Sequence, residues 1–178
     1  IRDRSSSSSG SMICLEGCGR FEMNGGEIWG NIGTLAGAIS TRWYSDNEQS
    51  AVLNSGVISN NTTSLGSWNN ANIFLRSSAM ISSDMVVSGP VVVNSTSADI
   101  PGTLDLQGTI DGDLILNTGA ASVTSSGDVT GSVTVSAGSL VITDGTYGSD
   151  VSPWVEFGLE AVQGESGEWI VIETDNCY

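Results

Sequence analysis

The stretch GTIDGDLILNTGAASVTSSGDVTGSVTVSAGSLVITDGTYGSDV, Gly108 to Val151, repeats itself. TIDGDLIL, starting at Thr109, lies over DVTGSVTV from Asp128 and over TYGSDV from Thr146. Gly89, Gly108, Gly127 and Gly145 follow one another at steps of 19, 19 and 18 residues, close to the shortest periods of stacked supersecondary units. In this register Ile110 falls on Val129 and Tyr147, Leu114 on Val133 and Val151, and Leu116 on Val135. Alternation then points Leu114 and Leu116 inward, and Asp113, Ile115 and Thr134 outward. A single unit has an apolar stripe that it cannot bury alone, and stacking the units buries it.

Upstream, a second repeat runs at a longer step. MNGGEIWGN, residues 23–31, returns 30 residues later as LNSGVISNN, residues 53–61. Met23 then matches Leu53, Ile28 stacks on Ile58, and Asn31 lies over Asn61 at a turn, where asparagine tolerates left-handed backbone and can bond to its copy. The extra length is expected to loop out at Thr41 to Ser50. Between the two repeats, NIFLRSS, AMISSDMVVSG and PVVVNS read as strands rich in Val and Ile, and NSTSADIP, residues 94–101, reads as an irregular loop. The 19-residue register extends back only to Gly89, because Ser95 and Ser97 do not match Leu114 and Leu116.

At the C-terminal side LEAV and EWIVIE, separated by QGESG, read as a β-hairpin. Its task would be to cover ladder groups that would otherwise recruit another chain. At the other side IRDRSSSSSGS is polar and of low complexity, the composition of a flexible tail. The expected organisation is a Ser-rich tail over 1–11, a parallel β-helix over 12–152 and a capping hairpin with its own tail over 153–178.

The chain of 178 residues has five arginines, no lysine, no histidine and a net charge of −15. All five bases lie at or before Arg76, together with six of the 20 acidic residues, so the rest of the chain is acidic without a cation. Such a surface repels nucleic acid, whose binding depends on Lys and Arg releasing counterions. No apolar run approaches the ~18 residues of a membrane span, so direct membrane insertion is not expected, and no basic-then-apolar leader is read in the sequence. Without histidine there is no Ser-His-Asp arrangement, and no phosphate-binding glycine loop follows a strand and opens a helix.

The candidate contact residues are aromatic. Trp29 alternates with Ile28 and so faces outward, Trp43 and Tyr44 fall in the first long loop, and Trp68 in the next. Exposed rings flanked by Asn and Asp suit a sugar, with one flat apolar face and polar partners for its hydroxyls. Asp111, Asp113, Asp128 and Asp144 run along one edge and read as a solvated polar edge. Oxygen-rich edges can also take Ca²⁺, but the spacing is not a calcium-repeat pattern, and neither a metal nor a cofactor is expected. Cys14, Cys18 and Cys177 are odd in number; Cys14 and Cys18 would stand ~13 Å apart in an extended strand, and a link between molecules is the functional alternative to small buried side chains.

The MNGGEIWGN and LNSGVISNN motifs resemble the repeats of right-handed parallel β-helix regions in large secreted or surface proteins of gut-type bacteria. GTYGSDVSPWVEFGLEAVQGESGEWIV, from Gly145, is similar to the segment that closes such helices, through Thr146, Tyr147, Ser149, Asp150, Val151, Ser152, Val155, Gly158, Gly167, Trp169 and Val171. Trp29 departs from the usual Ser or Thr, and Leu159 from the usual aromatic. The resemblance implies an all-β, right-handed, single-stranded parallel β-helix (β-solenoid) with a C-terminal β-hairpin cap, on the outside of a bacterial cell. It implies no chemistry. The expectation is a non-enzymatic structural or adhesive surface module that meets a glycan, a host or bacterial surface protein, or its own copies. A self-assembling extracellular filament subunit is the first alternative and a polysaccharide-degrading enzyme the second.

Overall fold

The structure, a computed structural model, describes residues 1–5, 10–16, 19–41, 50–64 and 70–174. It is all-β with parallel sheets. The chain alternates between two of them. One six-stranded sheet holds β1 (Ile13–Leu15), β4 (Ile39–Thr41), β7 (Ile73–Leu75), β9 (Val91–Val93), β12 (Leu114–Leu116) and β15 (Val133–Val135), in that order. The larger sheet begins with three long strands, β2 (Phe21–Trp29), β5 (Ala51–Ser59) and β8 (Ala79–Ser88). β8 then pairs with two strands at once: its first half with β10 (Gly102–Leu106), its second half with β11 (Thr109–Asp111). From there each rung is split, into β13 (Ala121–Ser125) with β14 (Asp128–Val129), and β16 (Ser139–Ile142) with β17 (Thr146–Tyr147). A two-stranded sheet, β3 (Ile32–Gly33) with β6 (Thr62–Thr63), completes the upstream rungs.

The split has a cause. Gly108 and Gly127 stand between the half-strands, and a Cβ on Gly127 would lie 2.2 Å from the Gly108 carbonyl oxygen of the rung before. Gly145 continues the column with a φ of 106°, and a Cβ there would meet the Gly127 oxygen at 2.1 Å. Only a residue without a side chain lets backbones turn this closely above one another. The register read from the sequence holds through this part: Ile110 pairs with Val129, Val129 with Tyr147, Leu114 with Val133 and Leu116 with Val135. Gly89 does not belong to the column. Thr109 pairs with Val86, and a Cβ on Gly112 would run into Gly89, so Gly89 stacks with Gly112 one corner further on.

Inward positions form one continuous core. Met23, Leu53, Ile81 and Leu106 follow one another in register along the large sheet, facing Ile39, Ile73, Val91 and Leu114 of the small one in a single buried cluster. Full burial of such a side chain contributes roughly 1.5–3 kcal/mol, so the column is the main stabilising term. Ile115 departs from expectation. It points away from this core yet is 6% exposed, because Phe74, Val92 and Ile115 form an outer ladder that packs with Leu35, Ala36 and Ala71. That sheet is apolar on both faces over β7, β9 and β12.

The hairpin is present as β18 (Leu159–Gln163) antiparallel to β19 (Trp169–Glu173), and β19 pairs antiparallel with β17. A single 3-10 turn at Ser152–Trp154 leads into it, and Val155 bridges to Ile142 on the outer side of β16. The segment expected as a flexible tail is tied down at both ends: Arg2 bridges to Trp29 and Ser5 to Ile32, both in parallel, and the Ser11 hydroxyl accepts the Ala36 N–H at 3.0 Å. Strand β2 and the corner after it offer free backbone groups there, which a polar segment satisfies as well as an apolar one. Among the described residues no helix is long and apolar enough to cross a membrane.

Candidate functional site

The aspartates of the edge are used by the fold. Asp111 accepts the Thr130 hydroxyl at 2.9 Å, Asp113 the Ser132 N–H at 2.8 Å, and Asp128 the Thr146 N–H at 2.8 Å. Each carboxylate thus holds a group one rung later, and Asp144 caps the next N–H in its own chain, that of Gly145, at 2.7 Å. Among the described residues no three His, Cys, Asp or Glu side chains converge as metal ligands would. Asp150 makes an Asx-type turn, accepting both the N–H and the hydroxyl of Ser152 at 3.0 and 2.6 Å. Those bonds hold its carboxyl below the usual range.

Beside this edge a groove of about 410 Å³ is lined by Thr109, Asp128, Thr130, Thr146, Tyr147 and Glu168 among others. Tyr147 closes its floor. Its hydroxyl donates to the Asp144 carbonyl at 2.9 Å and, having spent its one proton, accepts from the buried Ser125 hydroxyl at 2.8 Å. Burial, opposed by the Ser125 bond and reinforced by the charges of Asp128 and Asp144, pushes its pKa up to about 12. The groove offers hydroxyls and carboxylates but, the sequence having no histidine, no imidazole to act as a base.

Compared with known proteins, the chain matches no family model, no curated protein and no solved structure.

Of the aromatic candidates, Trp29 is half-buried, standing between Arg2 and Ser59 of the adjoining rungs. Trp43, Tyr44 and Trp68 lie outside the described residues, as do Cys18 and Cys177. Cys14 carries a free, exposed thiol on β1, 3.7 Å from a Glu16 carboxylate oxygen. The loop at 94–101 is irregular as expected, and its Ser95 and Thr96 line a shallow depression of about 480 Å³ with Asn117 and Thr118.

Two features were not singled out in the sequence. At the open end, the outer edge of β2 from Phe21 to Gly26 has no neighbouring strand among the described residues. A groove of about 390 Å³ follows it, lined by Ile1 of the N-terminal segment and by Phe21 to Ile28, Glu22 and Glu27 included. At the hairpin end, Phe157 is fully exposed (101%), with Ile172 at 40%. The capping hairpin was legible from its two alternating runs, but alternation does not say which of its side chains are left in solvent.

Proposed function

We propose that this chain is a right-handed, single-stranded parallel β-helix acting as a non-enzymatic structural module, a stalk, of an extracellular bacterial surface protein. The observation that carries the reading is the use of polar side chains between rungs. Asn31 bonds Asn61 across one step, and Asp111, Asp113 and Asp128 each bond across another. The residue types that would otherwise make a binding or catalytic cleft are spent on stiffness along the stacking direction. Stacked units of this kind gain stability from nearest-neighbour contacts, which suits a rod that holds a distance and carries loops. The loops with Trp43, Tyr44 and Trp68, and Trp29 at its corner, are where such a stalk would meet a glycan or a surface protein. The motif resemblance supplies the bacterial surface and the handedness. Antibody labelling of intact cells that express the natural protein tests the location: signal on intact cells is expected, and signal only after lysis would overturn it. For the adhesive part, a glycan array should bind, and lose binding with Trp43→Ala and Trp68→Ala; a blank array rejects it.

A further inference from the structure

The chain contains the dipeptide Asp–Gly twice, at Asp111–Gly112 and at Asp144–Gly145. The fold treats the two carboxylates in opposite ways. Asp111 sends its own across to the next rung, where Oδ1 accepts the Thr130 hydroxyl at 2.9 Å. Asp144 turns its own back onto the chain, and Oδ1 accepts the N–H of Gly145, the residue that follows, at 2.7 Å. That contact sets a carboxyl group beside the one amide nitrogen with which it can close a five-membered ring. Groups held this closely react as an intramolecular pair, the entropy of approach being already lost.

The surroundings hold the peptide in place. The Asp144 carbonyl accepts the Tyr147 hydroxyl at 2.9 Å, and the Gly145 carbonyl accepts the Val171 N–H at 3.1 Å. Gly145 has no side chain to shield its nitrogen. The stack also requires a glycine there, since its φ is 106° and a Cβ would meet the Gly127 oxygen at 2.1 Å. Asp144 is exposed, so water reaches its carboxyl. At the other dipeptide the Asp111 carbonyl likewise accepts an N–H, that of Gly89 at 2.8 Å. The two sites therefore differ in where the carboxyl lies and not in whether the peptide is held.

We propose that Asp144–Gly145 is a self-modification site, at which the folded chain converts an aspartate into an isoaspartate. The Gly145 nitrogen attacks Cγ of the Asp144 carboxylic acid. The N–Cγ bond forms, the Cγ–OH bond breaks, and the hydroxyl leaves with the amide proton as water. Water then opens the succinimide. Addition at Cγ restores aspartate; addition at the main-chain carbonyl carbon of Asp144 breaks its bond to the Gly145 nitrogen and leaves the main chain running through Cβ and Cγ. The water released in the first step is taken up in the second, and no other reactant enters. The product has one more carbon in the main chain at the corner before β17. The close stacking of Gly145 on Gly127 has no room for it, so β17 gives up its register on β14 or on β19 and the capping hairpin loosens. The inference does not use where the protein resides, so a failure of the surface labelling leaves it intact.

Peptide mapping with electron-transfer fragmentation, which tells isoaspartate from aspartate, decides it. The full chain is aged at about pH 5, where carboxylic acid is populated, at a temperature where circular dichroism shows it folded, with the chain in urea as the reference. Unfolded, the two Asp–Gly bonds should react at similar rates. Folded, Asp111 should fall at least about tenfold below its unfolded rate, since a reacting group held out of place loses that much or more. Asp144 should keep its unfolded rate or exceed it. Hydrogen exchange in β17 and β19 of the aged folded protein should quicken in proportion to isoaspartate at position 144. Asp144→Glu, which cannot close a five-membered ring, should show no such change with age. Asn24–Gly25 closes the same ring with loss of ammonia and is read separately by its change in mass. Suppression of Asp144 by folding as strong as that of Asp111 overturns the proposal, and so does isoaspartate forming equally at both sites of the folded chain.

Discussion

Asn31 sits directly over Asn61, and both its backbone N–H and its side-chain Nδ2 donate to the one Oδ1 of Asn61, at 3.0 and 2.8 Å. Asn61 in turn donates its Nδ2 to the carbonyls of Ile28 and Ser59, at 3.0 and 2.9 Å, while Asn60 beside it has a φ of 53°. Both side chains are buried. A corner of the chain turns its backbone groups inward, and the asparagine amide supplies the donor and acceptor that a strand partner would have supplied.

Removing that amide should therefore cost more than a side chain of its size. Asn61→Ala takes a donor from the Ile28 and Ser59 carbonyls and the shared acceptor from both Asn31 donors, leaving only long bonds of 3.4 Å from the Gly30 N–H to Ser59 and from Asn31 Nδ2 to the Ile1 carbonyl, at about 1–3 kcal/mol for an unsatisfied group, with neighbours sharing part of the loss. The expected loss is about 3 kcal/mol. Asn31→Ala, which takes away one of the two donors to Asn61 and the acceptor of the Arg4 N–H but leaves Asn61 its backbone donor and its carbonyl bonds, should cost about half as much. Urea unfolding of the two variants measures both, and equal losses would mean that the corner is held by something other than this pair.

The glycine column makes a prediction with its own control. Gly127→Ala places a Cβ 2.2 Å from the Gly108 oxygen, so one rung has to move off the other, whereas Gly119 has open space within 4 Å. Overpacking against backbone costs typically 1–3 kcal/mol, and Gly127→Ala belongs at the upper end, about 3 kcal/mol. Gly119→Ala should be neutral or slightly stabilising through the unfolded chain. Thermal melts of the pair separate the close approach from the general effect of replacing glycine.

How much of this could be read beforehand depends on the length of the step. Where successive rungs are 18 or 19 residues apart, as in the bonds Asp128–Thr146 and Asp111–Thr130, the register was legible to the residue. One rung earlier the step is 23 residues, as between Ser95 and Thr118, because the loop at 94–101 adds length. A fixed step finds no match for Leu114 at Ser95, because the partner is Val91, and it puts Gly89 into the wrong column. Ile115 faces outward as alternation reads it, and only its burial in the outer cluster with Phe74, Val92 and Leu35 goes beyond that reading. IFL, VVV and LIL are unbroken apolar runs, which mark a parallel strand buried on both faces, whereas VTV of β15 alternates. Alternation gives the face of each residue, and the unbroken apolar run adds that the outer face is covered as well. The candidate site was less legible still, since a carboxylate that binds a ligand and one that ties a rung to the next have the same sequence.

The turn at Asp150 can be followed by titration. Both bonds from Ser152 favour the ionised carboxylate and hold its pKa down. Ser152→Ala removes the hydroxyl bond and leaves the N–H, so the Asp150 pKa should rise toward the ordinary carboxylate range without reaching it. Carbon-detected NMR titration of the side-chain carboxyl measures the shift. Since a lowered pKa contributes stability above the unfolded value and loses it as the pH falls through the folded one, the wild type should fray at this turn in acid, and the variant at higher pH.

Tyr147 gives the opposite sign at the other end of the pH scale. It occupies the place that Ile110 and Val129 hold in the rungs before it, and the small Ser125, in register between Leu106 and Ile142, stands opposite its hydroxyl. Burial raises its pKa to about 12 from an ordinary 10.0. A raised acid is stabilising in its neutral form: the contribution is complete below pH 10 and is lost as the pH climbs through about 12. At about 1.4 kcal/mol per pH unit the loss amounts to about 3 kcal/mol. Tyr147→Phe should give up about 1 kcal/mol at neutral pH, for the bonds to Ser125 and the Asp144 carbonyl, and should lack this part of the alkaline decline. Ser125→Ala removes a donor that favours the phenolate, so it should push the tyrosine pKa higher still and steepen the loss. Stability measured by denaturant midpoint from pH 8 to pH 12, with phenolate absorbance as the second readout, tests the ordering; a wild type and a phenylalanine variant that decline in parallel would show that the buried phenol is not what the fold feels.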